Sequence, residues 1–132
     1  MAEIPGELAY TAEHVWVEDE GGDTVRVGIS DFAQDQLGDV VFLDLPAAGT
    51  TVQQHEKMGE IESIKSVSDL FAPVSGEVVA RNEEAIAKPE SVNAAPYSDG
   101  WLVRVRLSDP DELGNLLTAD AYTALIAQPG DA

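Results

Sequence analysis

Cysteine is absent from this chain of 132 residues. Without a thiol the sequence can form no disulfide framework, no thiolate metal site and no cysteine nucleophile. Long apolar runs are absent as well, since no stretch approaches the ~20 apolar residues of a membrane-spanning helix. The first seven residues, MAEIPGE, have neither the positive nor the apolar segment of a secretory signal peptide. We therefore expect a cytoplasmic protein with no membrane partner.

Basic residues are scarce. The chain has seven lysines and arginines but 25 aspartates and glutamates, which gives a formal net charge of -18 at pH 7. A surface this acidic repels nucleic acid and anionic membranes, so neither is an expected partner. The charge has two open explanations: it steers the protein towards basic partner surfaces, or it maintains solubility in a salt-rich cell. Steering predicts association rates that fall with salt, whereas salt adaptation predicts folding that improves with it.

Signatures of intrinsic catalysis are also few. The two histidines, His14 and His55, lie in unrelated contexts with no serine or carboxylate at a triad spacing. No glycine-rich segment opens a helix after a strand, as a phosphate-binding loop requires. A partly buried, hydrogen-bonded role is favoured for His14 over catalysis. The sequence therefore gives little support for an enzyme or for a metal site.

Short alternating runs of valine, isoleucine and leucine predict strands. Two such runs flank residues 20–23, EGGD, whose glycines suit the tight reversal of a hairpin. Residues 40–45, VVFLDL, are apolar nearly throughout and predict a strand covered on both faces. Further strands are predicted at 76–82 and 100–107, and Trp101 is expected to be largely buried at the start of the last one.

Two segments predict short helices. Residues 30–38, SDFAQDQLG, begin with side chains that cap helices and end in glycine. Residues 108–126 begin with the helix start SDPDE and continue with apolar residues at helical spacing, divided near Gly114 and Thr118. With 44% hydrophobic residues spread along the chain, we expect one mainly β domain over residues 1–132.

Lys65 is the most informative residue, because it lies where two alternating strands are predicted to meet at an exposed turn. Two interpretations stay open: an ordinary solvated lysine, or the attachment point of a covalent group. The other lysines, Lys57 and Lys88, are not flanked by alternating strands in this way and are expected to be ordinary surface residues. Asp69 follows the turn, either as a solvated carboxylate or as the ion-pair partner of a positive group carried by Lys65.

Four segments carry a resemblance to a known family. They are residues 10–16, YTAEHVW; residues 27–42, VGISDFAQDQLGDVVF; residues 62–66, ESIKS; and residues 93–101, NAAPYSDGW. Together they resemble the H protein family of the glycine cleavage system over nearly the whole chain. The third segment is similar to the family's lipoylation motif, which makes Lys65 the expected site of covalent lipoate.

The resemblance implies a fold and a mechanism. The fold is a lipoyl/biotinyl-type barrel-sandwich hybrid of two small antiparallel sheets, with Lys65 on a hairpin turn and short helices, some of them at the C-terminus. The implied partners are a lipoate-attaching enzyme, a pyridoxal-phosphate-dependent glycine decarboxylase, an aminomethyltransferase that uses tetrahydrofolate, and dihydrolipoamide dehydrogenase. The chain is expected to shuttle the aminomethyl group of glycine between them as a non-catalytic carrier, and to be a monomer.

The resemblance also implies where the loaded arm rests. Family members hold it in a surface cleft near the His-Trp segment, and Asp69 matches a family acid near the bound amine. The candidate arm-docking residues here are Glu13, His14 and Asp69. This chain departs from the family at Val15, where glutamate is usual, and a charged amine against valine would go unpaired. We hypothesise that Glu13 or Asp69 takes over, or that the loaded arm is less protected.

Two alternatives remain open. One is a lipoyl or biotinyl module of another carboxylase or dehydrogenase. Biotinyl turns typically have methionine on both sides of the lysine, whereas Ile64 and Ser66 flank Lys65, and the His-Trp segment is foreign to such modules. The other is an H-like protein that donates lipoyl groups to other enzymes, for which Val15 leaves room.

Overall fold

Strands dominate the computed structural model, which describes residues 4–127. There are nine: β1 (Ala9–Tyr10), β2 (Val15–Gly21), β3 (Thr24–Ile29), β4 (Val40–Asp44), β5 (Thr51–Val52), β6 (Lys57–Ser63), β7 (Val67–Phe71), β8 (Gly76–Arg81) and β9 (Val103–Leu107). The helices are α1 (Asp31–Leu37), α2 (Glu83–Ala87), α3 (Glu90–Ala94), a 3-10 helix (Pro110–Asn115) and α4 (Ala119–Ile126). The prediction of a mainly β chain with short helices is confirmed.

The strands form two antiparallel sheets. The larger has the order β1-β2-β3-β9-β8-β5, and the smaller has the order β4-β6-β7. The two predicted antiparallel sheets are therefore present, although one of them has six strands rather than few. The predicted hairpin at residues 15–29 is the β2–β3 pair, in which Val15 lies opposite Ile29.

The buried residues form two hydrophobic clusters, because successive side chains of strand β2 point to opposite faces of the sheet. Val15 and Val17 point into a main core to which both sheets contribute. Trp16, between them, points the other way into a smaller cluster with Leu8, Tyr10 and Tyr122. Tyr122 comes from α4, so the C-terminal helix covers the part of the large sheet that the main core leaves bare.

Local sequence explains the helix ends. The Ser30 hydroxyl accepts a hydrogen bond from the Ala33 backbone N–H and caps α1, and Gly38 ends it with φ 77°. Thr118 caps α4 in the same way, as predicted. Gly114 lies inside the 3-10 helix rather than between the two helices.

One sequence prediction is wrong. Strand β4 is not covered on both faces, because Val41 is 48% and Phe42 is 54% exposed. β4 is an edge strand of the three-stranded sheet. Trp101 lies two residues before β9 rather than at its start, and it is partly buried against the smaller cluster. Its ring packs against the guanidinium group of Arg104, which lies 4.5 Å from the ring centre. None of the helices in residues 4–127 has the length and apolarity needed to cross a membrane.

Candidate functional site

Lys65 lies at the tip of the β6–β7 hairpin, as the sequence predicts. The buried Ser63 hydroxyl organises the turn by accepting hydrogen bonds from the backbone N–H groups of Lys65 and Ser66, both at 3.2 Å. The Ser63 N–H closes the turn onto the Ser66 carbonyl at 2.8 Å. Within residues 4–127 the Lys65 ammonium group makes no ion pair, and its side chain is exposed. The turn is therefore fixed while its amine is accessible.

The Lys65 side chain crosses the end of helix α1. A Cβ atom placed on Gly38 would lie 3.0 Å from Lys65 Cε. Gly38 therefore leaves room for the lysine and also adopts the positive φ that ends the helix. The attachment candidate thus starts beside the helix that forms one wall of a cleft.

The cleft has a volume of about 500 Å³ and four walls. Its lining is mostly apolar. The walls come from the turn before β2 with the adjoining ends of β2 and β3, from helix α1, from the three-stranded sheet and from helix α4. The lining residues are Ala12, Glu13, His14, Val15, Ile29, Phe32, Ala33, Gln36, Leu37, Ile61, Ser68, Asp69, Leu70, Leu125 and Ile126. All three candidate arm-docking residues are among them, so the structure brings them to one cavity.

Both acids of the cleft already have basic partners. Asp69 lies 3.3 Å from the Lys57 ammonium group, which also binds Glu60. Hydrogen bonds to Glu60 and then to Asp69 raise the pKa of Lys57 above its usual value. Glu13 lies 3.4 Å from the Nδ1 atom of His55. An amine that enters the cleft therefore meets one carboxylate, that of Asp69, which already pairs with a lysine.

A β-bulge brings Lys57 to this position. Glu60 and Asp69 are direct cross-strand partners, which places two like charges side by side. The register shifts between Lys57 and Gly59, and the extra residue turns the lysine to the face that carries both acids. A Cβ atom on Gly59 would lie 2.3 Å from the Asp44 carbonyl oxygen, so the bulge needs glycine there.

His14 lines the cleft in a backbone conformation with φ 70°. Its Nδ1 atom is 2.8 Å from the Tyr122 hydroxyl, and its ring is tilted against Phe32 at 5.1 Å. Burial lowers the pKa of His14, and the nearby Glu13 carboxylate opposes that effect. The predicted partly buried, hydrogen-bonded histidine is confirmed, and its lowered pKa favours the neutral ring.

Val15 lies in the lining of the cleft but belongs to the main core, with 1% of its surface exposed. Its side chain therefore offers an incoming amine only an apolar contact. The sequence did not identify Lys57, His55 or Tyr122 as part of this site. Residues 57 and 60 carry opposite charge three positions apart, but only the bulge places them on one face.

The comparisons with known proteins agree with this geometry. A family model described as "Glycine cleavage H-protein" matches residues 8–129. The glycine cleavage system H protein of Kocuria rhizophila is 54% identical over 127 residues, which cover 96% of this chain and 99% of that protein. The one from Chromohalobacter salexigens is 48% identical over 131 residues, covering 99% and 100%. The crystal structure of a glycine cleavage system H protein from Mycobacterium marinum superposes with a TM-score of 0.87 at 43% identity, over 95% of this chain and 100% of that one.

Proposed function

This chain belongs to the glycine cleavage H-protein family, the lipoyl carriers of the glycine cleavage system, and from that premise we propose that Lys65 is its lipoylated residue. The observation that carries the proposal is the exposed Lys65 amine, at the tip of a fixed hairpin and beside the wall of an apolar cleft. Lys57, by contrast, forms ion pairs with the carboxylates of Glu60 and Asp69.

The residues of the cleft fit a lipoyl arm. An acyl chain with a dithiolane ring is apolar, and the lining is dominated by aliphatic and aromatic side chains. Two carboxylates, Glu13 and Asp69, offer hydrogen-bond acceptors for a primary amine at the end of such an arm. When bound, lipoate supplies a disulfide that is opened to accept the aminomethyl group and is later re-formed.

The residues of the chain then have three tasks. Ser63 holds the hairpin so that the modified lysine can reach the active sites of partner enzymes. Leu37, Leu70 and the other apolar residues of the cleft keep water from the arm between visits. Asp69 and Glu13 orient the amine of the cargo.

The proposed partners are a pyridoxal-phosphate-dependent glycine decarboxylase, an aminomethyltransferase that passes the carbon to tetrahydrofolate, and dihydrolipoamide dehydrogenase. A lipoate-attaching enzyme must act on the chain first. In this scheme the chain carries a reacting group and catalyses no step itself. We also propose a cytoplasmic location, where bacterial forms of these enzymes would meet the carrier.

The test is mass spectrometry of protein produced with a lipoylating system, in the presence and absence of lipoate. We expect the added mass only with lipoate, and peptide mapping should place it on Lys65. Lys65→Arg should abolish it, whereas Lys57→Arg and Lys88→Arg should not. Lipoate on another lysine, or none on Lys65 in a competent system, would overturn the assignment. Turnover of glycine with the three purified enzymes would then test the shuttle.

A further inference from the structure

The hydroxyl of Tyr122, which belongs to one wall of the cleft, contacts groups from two of the other three walls. Tyr122 belongs to α4, and its oxygen lies 2.8 Å from Nδ1 of His14, in the turn before β2. The same oxygen lies 2.7 Å from the hydroxyl of Ser30, which caps α1. Deleting this oxygen atom would therefore remove the hydrogen bonds that join α4 to the other two walls, while the backbone hydrogen bond from Ser30 N–H to the His14 carbonyl would remain.

Helix α4 depends on such anchoring. It has eight residues, and a helix of that length is marginal in water without tertiary contacts. Tyr122, Leu125 and Ile126 are spaced i, i+3 and i+4, so they share one face. Tyr122 is fully buried, and the other two line the cleft. The position of Tyr122 thus sets the position of this wall.

The hydrogen-bond pattern selects one arrangement of protons. The buried Ser30 hydroxyl already accepts from the Ala33 N–H at 3.2 Å, and donating its own proton to Tyr122 satisfies it fully. Tyr122 then donates to Nδ1 of His14, which places the proton of the neutral imidazole on Nε2. The reverse direction would leave the Ser30 proton buried without a partner, which is costly.

We propose that Tyr122 is a positioning residue of the cleft, whose hydroxyl ties α4 to His14 and Ser30 and thereby prolongs the time that the cleft shields a docked arm from water. The functional part of this inference rests on the proposed lipoylation of Lys65. The structural part does not, because the hydrogen bonds exist in the unmodified chain.

Tyr122→Phe deletes the hydroxyl and keeps the ring, and Tyr10→Phe is the matched control. The two rings stack on each other, with centres 4.7 Å apart and planes within 4°. The Tyr10 hydroxyl bonds to the Pro5 carbonyl at 2.7 Å. Both variants lose a buried hydroxyl from the same cluster, but only one loses the links to the cleft walls.

The first measurement uses unlipoylated protein. Amide exchange reports on α4 through the N–H groups of Tyr122 and Ala127, which bond to the carbonyls of Thr118 and Thr123. We expect exchange at least about tenfold faster in Tyr122→Phe, because the variant loses both hydrogen bonds of the hydroxyl, each of which is worth roughly fivefold in an equilibrium. Nitrogen chemical shifts of His14 should change from the Nε2–H form to a mixture of tautomers. Tyr10→Phe should change neither reading.

The second measurement uses the lipoylated carrier loaded with methylamine, whose release into water is followed over time. We expect release about tenfold faster in Tyr122→Phe and unchanged in Tyr10→Phe. Leu125→Ala, which thins the same wall without touching the hydroxyl, should speed release and leave the His14 tautomer unchanged. This second variant keeps the test intact if Tyr122→Phe folds poorly.

Three outcomes would overturn the proposal. The first is that amide exchange in α4 and the His14 tautomer are both unchanged in Tyr122→Phe. The second is that methylamine release is unchanged although α4 exchanges faster. The third is that Tyr122→Phe and Tyr10→Phe have equal effects, which would indicate a general loss of stability. Absence of lipoate on Lys65 would instead refute the proposed function, and the exchange and tautomer measurements would still decide the role of Tyr122.

Discussion

The ammonium group of Lys57 lies 3.3 Å from the carboxylate of Asp69, an acid that lines the cleft. Both side chains are 48% exposed, so water screens the pair and it contributes little to folding. Its consequence is functional, because a positively charged cargo must compete with Lys57 for the same carboxylate.

Replacing Lys57 by glutamine should strengthen the hold of the cleft on the cargo. Without its competitor, Asp69 is free to pair with the amine, and methylamine release should slow about two- to fivefold, the range expected for an exposed ion pair. The difference should shrink as salt is raised, because screening weakens both pairs. The measurement is the release rate of the loaded carrier at low and high salt.

Lys88→Gln is the matched control, since it removes the same charge from an exposed lysine outside the cleft. It should leave release unchanged. If Lys57→Gln accelerates release, or if both variants slow it equally, direct competition at Asp69 is wrong.

Val15→Glu tests the expectation that a valine at this position weakens the hold of the cleft on the cargo. A carboxylate at this position in the cleft lining would face the cargo, so release should slow. The cost is burial of a charge at a site with 1% exposure, and we expect a loss of about 2–4 kcal/mol in unfolding free energy. Val15→Gln, which matches the size without the charge, should slow release much less. Equal lifetimes for all three proteins would show that this position does not affect docking.

Local patterns predicted the parts of the site that depend on neighbours in sequence. Alternating residues on either side of Lys65 indicated a hairpin, and the capping serine and terminal glycine indicated α1. Sequence spacing could not show that Tyr122 reaches His14, because 108 positions separate them. A contact of that kind depends on how α4 packs against the sheet.

Two further features depended on topology. An apolar run such as residues 40–45 predicts a covered strand, but an edge position in the small sheet leaves Val41 and Phe42 exposed. The bulge at residues 57–59 shifts the alternation by one residue. Lys57 thereby reaches the face of Asp69, and the prediction of an ordinary surface lysine missed this contact.

The lowered pKa of His14 predicts that stability rises with pH. Burial holds the folded-state pKa below the unfolded value of 6.5, so the unfolded chain binds this proton first as pH falls. The contribution of neutral His14 to the free energy of unfolding is complete above pH 6.5. It is lost as pH falls from there towards the lowered folded-state pKa. Urea unfolding between pH 5 and 7.5 should show this slope.

His14→Asn should flatten that part of the slope, because asparagine does not titrate and tolerates a φ of 70°. His55→Asn is the control, since His55 has φ 69° but an exposed side chain. It should leave the slope in place. A slope that survives in His14→Asn would assign the effect to other groups.

Gly38→Ala separates the two tasks of that glycine. Its φ of 77° strains any residue with a Cβ atom, and we expect a loss of about 1–3 kcal/mol in unfolding free energy. The new methyl group would also lie 3.0 Å from Lys65 Cε, but the flexible lysine can move aside. Gly38→Ala should therefore lower the free energy of unfolding by the same amount, within about 0.5 kcal/mol, whether residue 65 is lysine or alanine. Gly49→Ala, at φ 95° with no atom within 4 Å, supplies the cost of backbone strain alone. If the double variant recovers more than that margin, the lysine is held rigidly against the end of α1, and the arm leaves the hairpin in a fixed direction.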